Sequence, residues 1–168
     1  GLQEEENIGV NPIKLGIIAA TDNHSATPGA VKESDWNGSV SGEDTPLGRL
    51  GFGQLGLPLT TAIDSNPGGL AGVWATENTR DAIFDAMLRK EVFGTSGPRI
   101  KPRLFGGWTL DENLCANPEM IAEAYKNAVP MGSDIAPNKD LNRVPKFLAH
   151  TVRDFESSKL QSLQLIKG

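Results

Sequence analysis

The apolar positions fall into runs broken by glycine, proline and asparagine, and the spacing inside each run predicts its element. Residues 2–8 tolerate a helix, and Asn11-Pro12 predicts its end, because proline disfavours the helical conformation in the residue before it. Lys14 to Ala20 is apolar without alternation, as expected of a strand buried on both faces in a parallel sheet or a barrel wall. Leu70, Val73 and Trp74 carry a second strand within 69–75. Asn78 stands where a helix cap belongs, and Asp81 falls in the first turn. Ile83, Phe84, Met87 and Leu88 then recur at helical spacing, which predicts one apolar face. Val92 to Pro98 reads as a short strand and turn.

Later in the chain, residues 99–108 predict an edge strand with proline at its margin. Asn117-Pro118 opens a second helix near 117–128, with Met120, Ile121, Ala124 and Tyr125 on its face and Pro130-Met131-Gly132 at its end. Two strands follow, at 146–153 and 160–167, the second marked by alternation around Leu163 and Leu165. Between the first two strands lies a loop at 25–68. Its turn signals are Pro28-Gly29, Asn37-Gly38, Ser41-Gly42 and Pro67-Gly68-Gly69, with the glycine-punctuated stretch 47–53 between. A connection of that length is usually functional or disordered. The pattern therefore predicts an α/β part over 1–98 and a β-rich appendage over 99–168, an α/β to α+β chain.

Composition narrows the function. The 168 residues suit one domain or one domain with an appendage, and 19 glycines with 11 prolines agree with long, shaped loops. Net charge is −5 and the basic residues are scattered, so nothing marks a nucleic-acid surface. No stretch approaches the roughly 20 apolar residues that span a bilayer. The first residues do not read as a signal peptide, and the lack of an initial methionine suggests a processed or excised chain. Cys115 is the only cysteine, which excludes an intrachain disulfide and a thiolate zinc cluster and suggests a small buried hydrophobe.

The chemistry most worth following is Asp22-Asn23-His24, at the abrupt end of the first apolar run. In an extended segment the two flanking side chains share a face. A carboxylate and an imidazole together suit Zn, Mn or Fe, metals that activate water for attack on phosphorus or carbon. By spacing alone, the commoner reading is a turn-capping aspartate beside an ordinary loop histidine. Only two histidines occur, and His150 falls within a predicted strand, where a partly buried structural role is expected. Thr95-Ser96-Gly97-Pro98-Arg99 offers hydroxyls, amides and a guanidinium to an anion, its plainer alternative being a turn with a surface arginine. Glu77 is a candidate acid/base group or simply a charge at a helix start. Trp36, Trp74 and Trp108 suit core or loop anchoring.

Several ordered segments carry a resemblance beyond such spacing: 15–29 (LGIIAATDNHSATPG), 69–80 (GLAGVWATENTR) and 93–100 (FGTSGPRI), with 101–108, 129–132 and 163–168 in support. They resemble an uncharacterised bacterial family, domain of unknown function 3604, over essentially the whole chain. Its members are longer, so this chain looks like an internal or C-terminal-side piece. That family in turn resembles the PHP (polymerase and histidinol phosphatase) superfamily of metal-dependent phosphoesterases, whose fold is a distorted β/α barrel. The resemblance implies that Asp22 and His24 match the superfamily's last Asp-x-His metal motif, and that the earlier histidine- and glutamate-rich motifs are missing here. The strand before Asn78 and its helix would form a final barrel unit, with Ser96 and Arg99 near the mouth as substrate contacts. It also implies a divalent metal (Zn, Mn or Fe) in the full-length protein, not necessarily held by this piece, and an inactive isolated fragment. The remainder of the same polypeptide is the expected partner, or a second copy at exposed sheet edges. Relatives are often exported. The alternative is a non-catalytic binding or structural module that keeps the Asp-x-His as a relic.

Overall fold

The computed structural model describes residues 1–21, 68–140 and 142–167. All but the last residue of the loop expected at 25–68, and with it Trp36, Asp22 and His24, lie outside the described residues. Helices and strands are mixed: α1 (Leu2–Ile8), β1 (Leu70–Val73), α2 (Arg80–Leu88), β2 (Val92–Thr95), β3 (Lys101–Gly107), a 3-10 turn (Leu114–Ala116), α3 (Met120–Asn127), β4 (Val129–Pro130) and β5 (Lys146–Val152). β1 pairs with β2, and β3 lies between β4 and β5. This is an α+β arrangement, and no barrel closes among the described residues. Contacts divide the chain into two units.

The first unit comprises Gly1–Ile17, Val73–Val92 and Arg103–His150. Its α1 stops at Gly9, earlier than Asn11-Pro12 suggests. Gly9 takes a left-handed conformation (φ 74°) and donates its N–H to the Glu5 carbonyl at 2.8 Å, the geometry that glycine adopts without steric penalty. α2 is capped by Thr79 rather than Asn78, the Thr79 hydroxyl accepting the Ala82 N–H at 3.3 Å. Its inward face also differs from the expected one. Ala86 is fully buried and Ala82 and Ile83 are partly so, whereas Phe84, Met87 and Leu88 are exposed. Ala82, Ile83 and Ala86 share a stripe at i, i+1, i+4, and two alanines let a helix approach its neighbours closely.

The core of this unit gathers Phe105, Leu110, Leu114, Ala124 and Leu148, with Met120, Ile121 and Ala128 packed against it. α3 therefore buries the predicted Met120, Ile121 and Ala124, while Tyr125 remains partly exposed. The turn into α3 is closed by Asn117, whose side-chain oxygen accepts the Glu119 N–H at 2.9 Å. β3 is the middle strand, not an edge: it pairs antiparallel with β4 at Phe105↔Pro130 and Gly106↔Val129. Pro102 is tolerated because it stands at the strand's entry, ahead of the two positions β4 pairs.

The second unit comprises Ile18–Gly72, Phe93–Pro102 and Thr151–Gly168. Gly69 lies against Thr95 and Gly72 against Phe93, so β1 and β2 run in opposite directions. The parallel neighbour implied for a barrel unit is not formed by this pair. The expected doubly buried strand at 14–20 joins no ladder, and Leu15, Ile17 and Ile18 are 74 %, 77 % and 51 % exposed. Its last residues instead pass close to glycines: a Cβ added at Gly94 would sit 2.8 Å from the Ala19 Cβ, and the Gly69 N–H donates to the Ala20 carbonyl at 3.3 Å. Residues 160–167 are likewise irregular, with Leu163, Leu165 and Ile166 exposed. Alternation fixes which side chains share a face, but a strand also needs an edge to pair with.

Candidate functional site

The chemically richest described cluster is built on Glu91, the one buried charged residue among those described, 4 % exposed. The chain turns from α2 into β2 here. The Glu91 N–H donates to the Ala86 carbonyl at 3.0 Å, and the Glu91 carbonyl accepts the Trp74 N–H at 3.0 Å. Its backbone is thus fixed, and the side chain is held inward. One carboxylate oxygen accepts from Arg89 Nη2 at 3.4 Å, and the other accepts from the Tyr125 hydroxyl. Tyr125 in turn accepts from Arg103 Nη1 at 2.8 Å. The Arg103 guanidinium lies 3.5 Å over the Trp74 ring centroid and 5.7 Å from that of Tyr125. Phe105 closes the cluster edge-to-face against Tyr125, with centroids 4.8 Å apart.

An unpaired carboxylate in such a place would cost several kcal/mol of desolvation, and the Arg89 guanidinium with the Tyr125 hydroxyl, itself held by Arg103, supplies the compensation. The Tyr125 hydroxyl is held above its usual range. Burial is the first cause, and the hydrogen bond and negative charge of Glu91 add to it, with Arg103 pulling the other way. Tyr125 therefore stays a protonated donor at neutral pH, relaying the Arg103 hydrogen bond to Glu91.

The turn expected to bind an anion satisfies itself from within the chain. Thr95 Oγ1 accepts the Gly97 N–H at 3.3 Å, and Gly97 takes φ 133°. The Arg99 N–H donates to Asp154 Oδ2 at 2.7 Å, and the other Asp154 oxygen accepts the Glu156 N–H at 3.0 Å. Ser96 and Arg99 are themselves exposed. His150 is half-buried on β5, and Glu77 is exposed, accepting the Thr79 hydroxyl at 3.1 Å. Cys115 is exposed, contrary to the expected burial, because the 3-10 turn directs Leu114 inward instead. Trp108 anchors a loop by donating Nε1–H to the Ala136 carbonyl at 2.8 Å. Among the described residues, no three His, Cys, Asp or Glu side chains gather as a metal site. A groove of about 430 Å³ lined by Thr109, Asp111, Asn117 and Glu123 among others opens beside the core. Its Asp111 is already spent on the Asn113 N–H at 2.7 Å and its Glu123 on Lys126 at 2.6 Å.

Sequence reasoning passed over Glu91 and Arg103 because their partners lie far apart in the chain: Tyr125 is 34 residues from Glu91 and 22 from Arg103. The one local signal is a glutamate that directly precedes the apolar Val92-Phe93, at a strand's threshold.

These observations define an α+β chain with a paired buried carboxylate and, among the described residues, no recognisable catalytic constellation. The chain belongs to the family described as Protein of unknown function (DUF3604), whose model matches residues 1–168. No curated protein and no solved structure matches it. No helix among the described residues is long and apolar enough to cross a membrane.

Proposed function

We propose that this chain supplies part of a metal-dependent hydrolase of PHP-like type, acting on a phosphoester, with the remaining catalytic groups elsewhere in the polypeptide. Asp22 and His24 would hold a divalent metal (Zn, Mn or Fe), for which their hard carboxylate and borderline imidazole donors are suited. The observation that carries the reading is a convergence of backbone just before the motif. A Cβ at Gly68 would meet the Ala20 carbonyl at 2.9 Å and the Thr21 N at 3.3 Å, and one at Gly69 would meet Thr95. The apolar run thus ends with Ala19 against Gly94 of β2 and with Thr21, the residue before Asp22, against Gly68, next to the glycine that meets Thr95. Bound metal would activate water and polarise the phosphoryl group. Ser96 and Arg99 would contact the substrate's oxygens, and the exposed Arg99 guanidinium makes no bond to the described residues.

Two donors do not complete a coordination shell, so the isolated chain is expected to be inactive. The remainder of its own polypeptide, or a second copy, would cover Leu15, Ile17 and Ile18. The rival reading is a non-catalytic binding or structural module with a relic Asp-x-His. The self-satisfied 95–99 turn favours it, because Asp154 already takes the Arg99 amide. Metal content of the full-length protein separates the two. Stoichiometric Zn, Mn or Fe lost in Asp22→Ala supports the hydrolase. A metal-free full-length protein, or metal that survives Asp22→Ala, defeats it.

A further inference from the structure

We infer that Arg103 is the centre of an oxyanion-binding site for a small molecule bearing a phosphate or carboxylate group. The guanidinium is held before any ligand arrives. The Trp74 face stacks on it at 3.5 Å, Tyr125 stands at 5.7 Å, and Nη1 is tied to the Tyr125 hydroxyl at 2.8 Å. A side chain already fixed in this way loses little further rotamer freedom on binding, which is how preorganisation raises affinity. Of the five N–H donors an arginine carries, only this one Nη1–H bonds to a described residue. The Nε–H and Nη2–H edge is left, and its two parallel donors match two oxygens of a carboxylate or phosphate.

Charge agrees. Glu91 is the cluster's one carboxylate, and Arg89 already meets it at 3.4 Å. With Arg103 added, the cluster holds two cations to one anion and keeps a net positive charge. The Trp74 ring covers one face of the guanidinium and keeps water from that side, which strengthens attraction to an incoming anion. Arg103 is only half-buried, so a ligand can reach it. This site is built from neither Asp22 nor His24, and the proposal does not depend on the proposed metal chemistry.

The competing role is that Arg103 only braces Tyr125. Arg103→Lys separates the two, since an ammonium can still donate to the hydroxyl but cannot present a planar fork. Inorganic phosphate and acetate are titrated separately into the whole chain, following tryptophan fluorescence and, for phosphate, phosphorus NMR line width. Saturable binding of either is expected, with affinity falling at least about tenfold in Arg103→Lys and unchanged in Arg80→Gln, an exposed arginine on α2. Whichever ion binds names the ligand's class. The proposal is overturned if neither ion saturates the wild type, if Arg103→Lys and Arg103→Met bind undiminished, or if Arg80→Gln loses binding equally. Urea curves identify any variant that has unfolded, and the wild-type result stands regardless of them.

Discussion

Replacing Tyr125 by phenylalanine removes one hydroxyl and keeps the ring, which isolates the polar link between Glu91 and Arg103. The edge-to-face contact with Phe105 at 4.8 Å and the arginine beside the ring are retained. What disappears is a donor to a carboxylate 4 % exposed and an acceptor for a guanidinium. Glu91 is left with Arg89 alone, at 3.4 Å and itself 48 % exposed. A hydrogen bond to a charged group is worth roughly 1.5–3 kcal/mol, so a loss of about 2 kcal/mol is expected. For a chain of this size that lowers Tm by about 4–8 °C. In a Glu91→Gln background the same change is expected to cost about 1 kcal/mol, because the hydroxyl then bonds a neutral amide. Urea unfolding followed by far-UV circular dichroism measures all four members of the cycle. The raised hydroxyl adds a pH signature. Its stabilisation is complete below the ordinary value of 10.0 and fades as pH climbs through the higher folded value, a decline the phenylalanine variant lacks. A single-variant effect under about 0.5 kcal/mol, or strict additivity in the cycle, would refute the compensation argument.

Phe105→Ala is expected to cost about 3–5 kcal/mol, since Phe105 is 1 % exposed at the centre of the core and its removal leaves a cavity; a loss near 1 kcal/mol in urea unfolding would mean that the core collapses around the gap. Lys14 and Asp134 meet at 3.0 Å on the surface, each shifting the other through that hydrogen bond: the lysine upward, the carboxyl downward. The aspartate's contribution is present above its ordinary value of 3.8 and lost as pH falls through the lower folded one. The lysine's is present below 10.5 and lost as pH rises through the higher folded one. Carbon-detected NMR titration should therefore show Asp134 below the ordinary range, returning upward in Lys14→Met or in high salt; a titration unmoved by Lys14→Met would remove the pair.

Elements with a clear period bounded by turn residues are legible in the sequence: α2, α3, β1, β2 and β5 fall where periodicity and turn residues place them. What failed depended on partners. The run at 14–20 and the alternation at 160–167 describe faces, and neither pattern says whether an edge is at hand. On α2, Phe84, Met87 and Leu88 outweigh alanines in any hydrophobic count, whereas close approach in the fold selects Ala82 and Ala86. The missing donor of Pro102 suggests an edge strand, yet in the middle strand β3 the proline stands ahead of Phe105 and Gly106, the two positions that pair with β4. Glu91, Tyr125 and Arg103 became a cluster only when α2, β3 and α3 were brought together. Asp22 and His24 lie outside the described residues, so their reading as metal ligands rests on the motif alone.

The glycine contacts carry a consequence for mutational tolerance. At Gly69 and Gly94 the backbone of one segment rests directly on another, and at Gly132 (φ 85°) an added Cβ would run into the Lys90 carbonyl. A large core side chain can be trimmed and its neighbours can relax into the space, but here no side chain exists to trim and the obstruction is main chain. A saturation library of this chain should therefore show its sharpest intolerance at positions with no side chain at all, ahead of several core leucines. Drift there would need two segments of backbone to move at once.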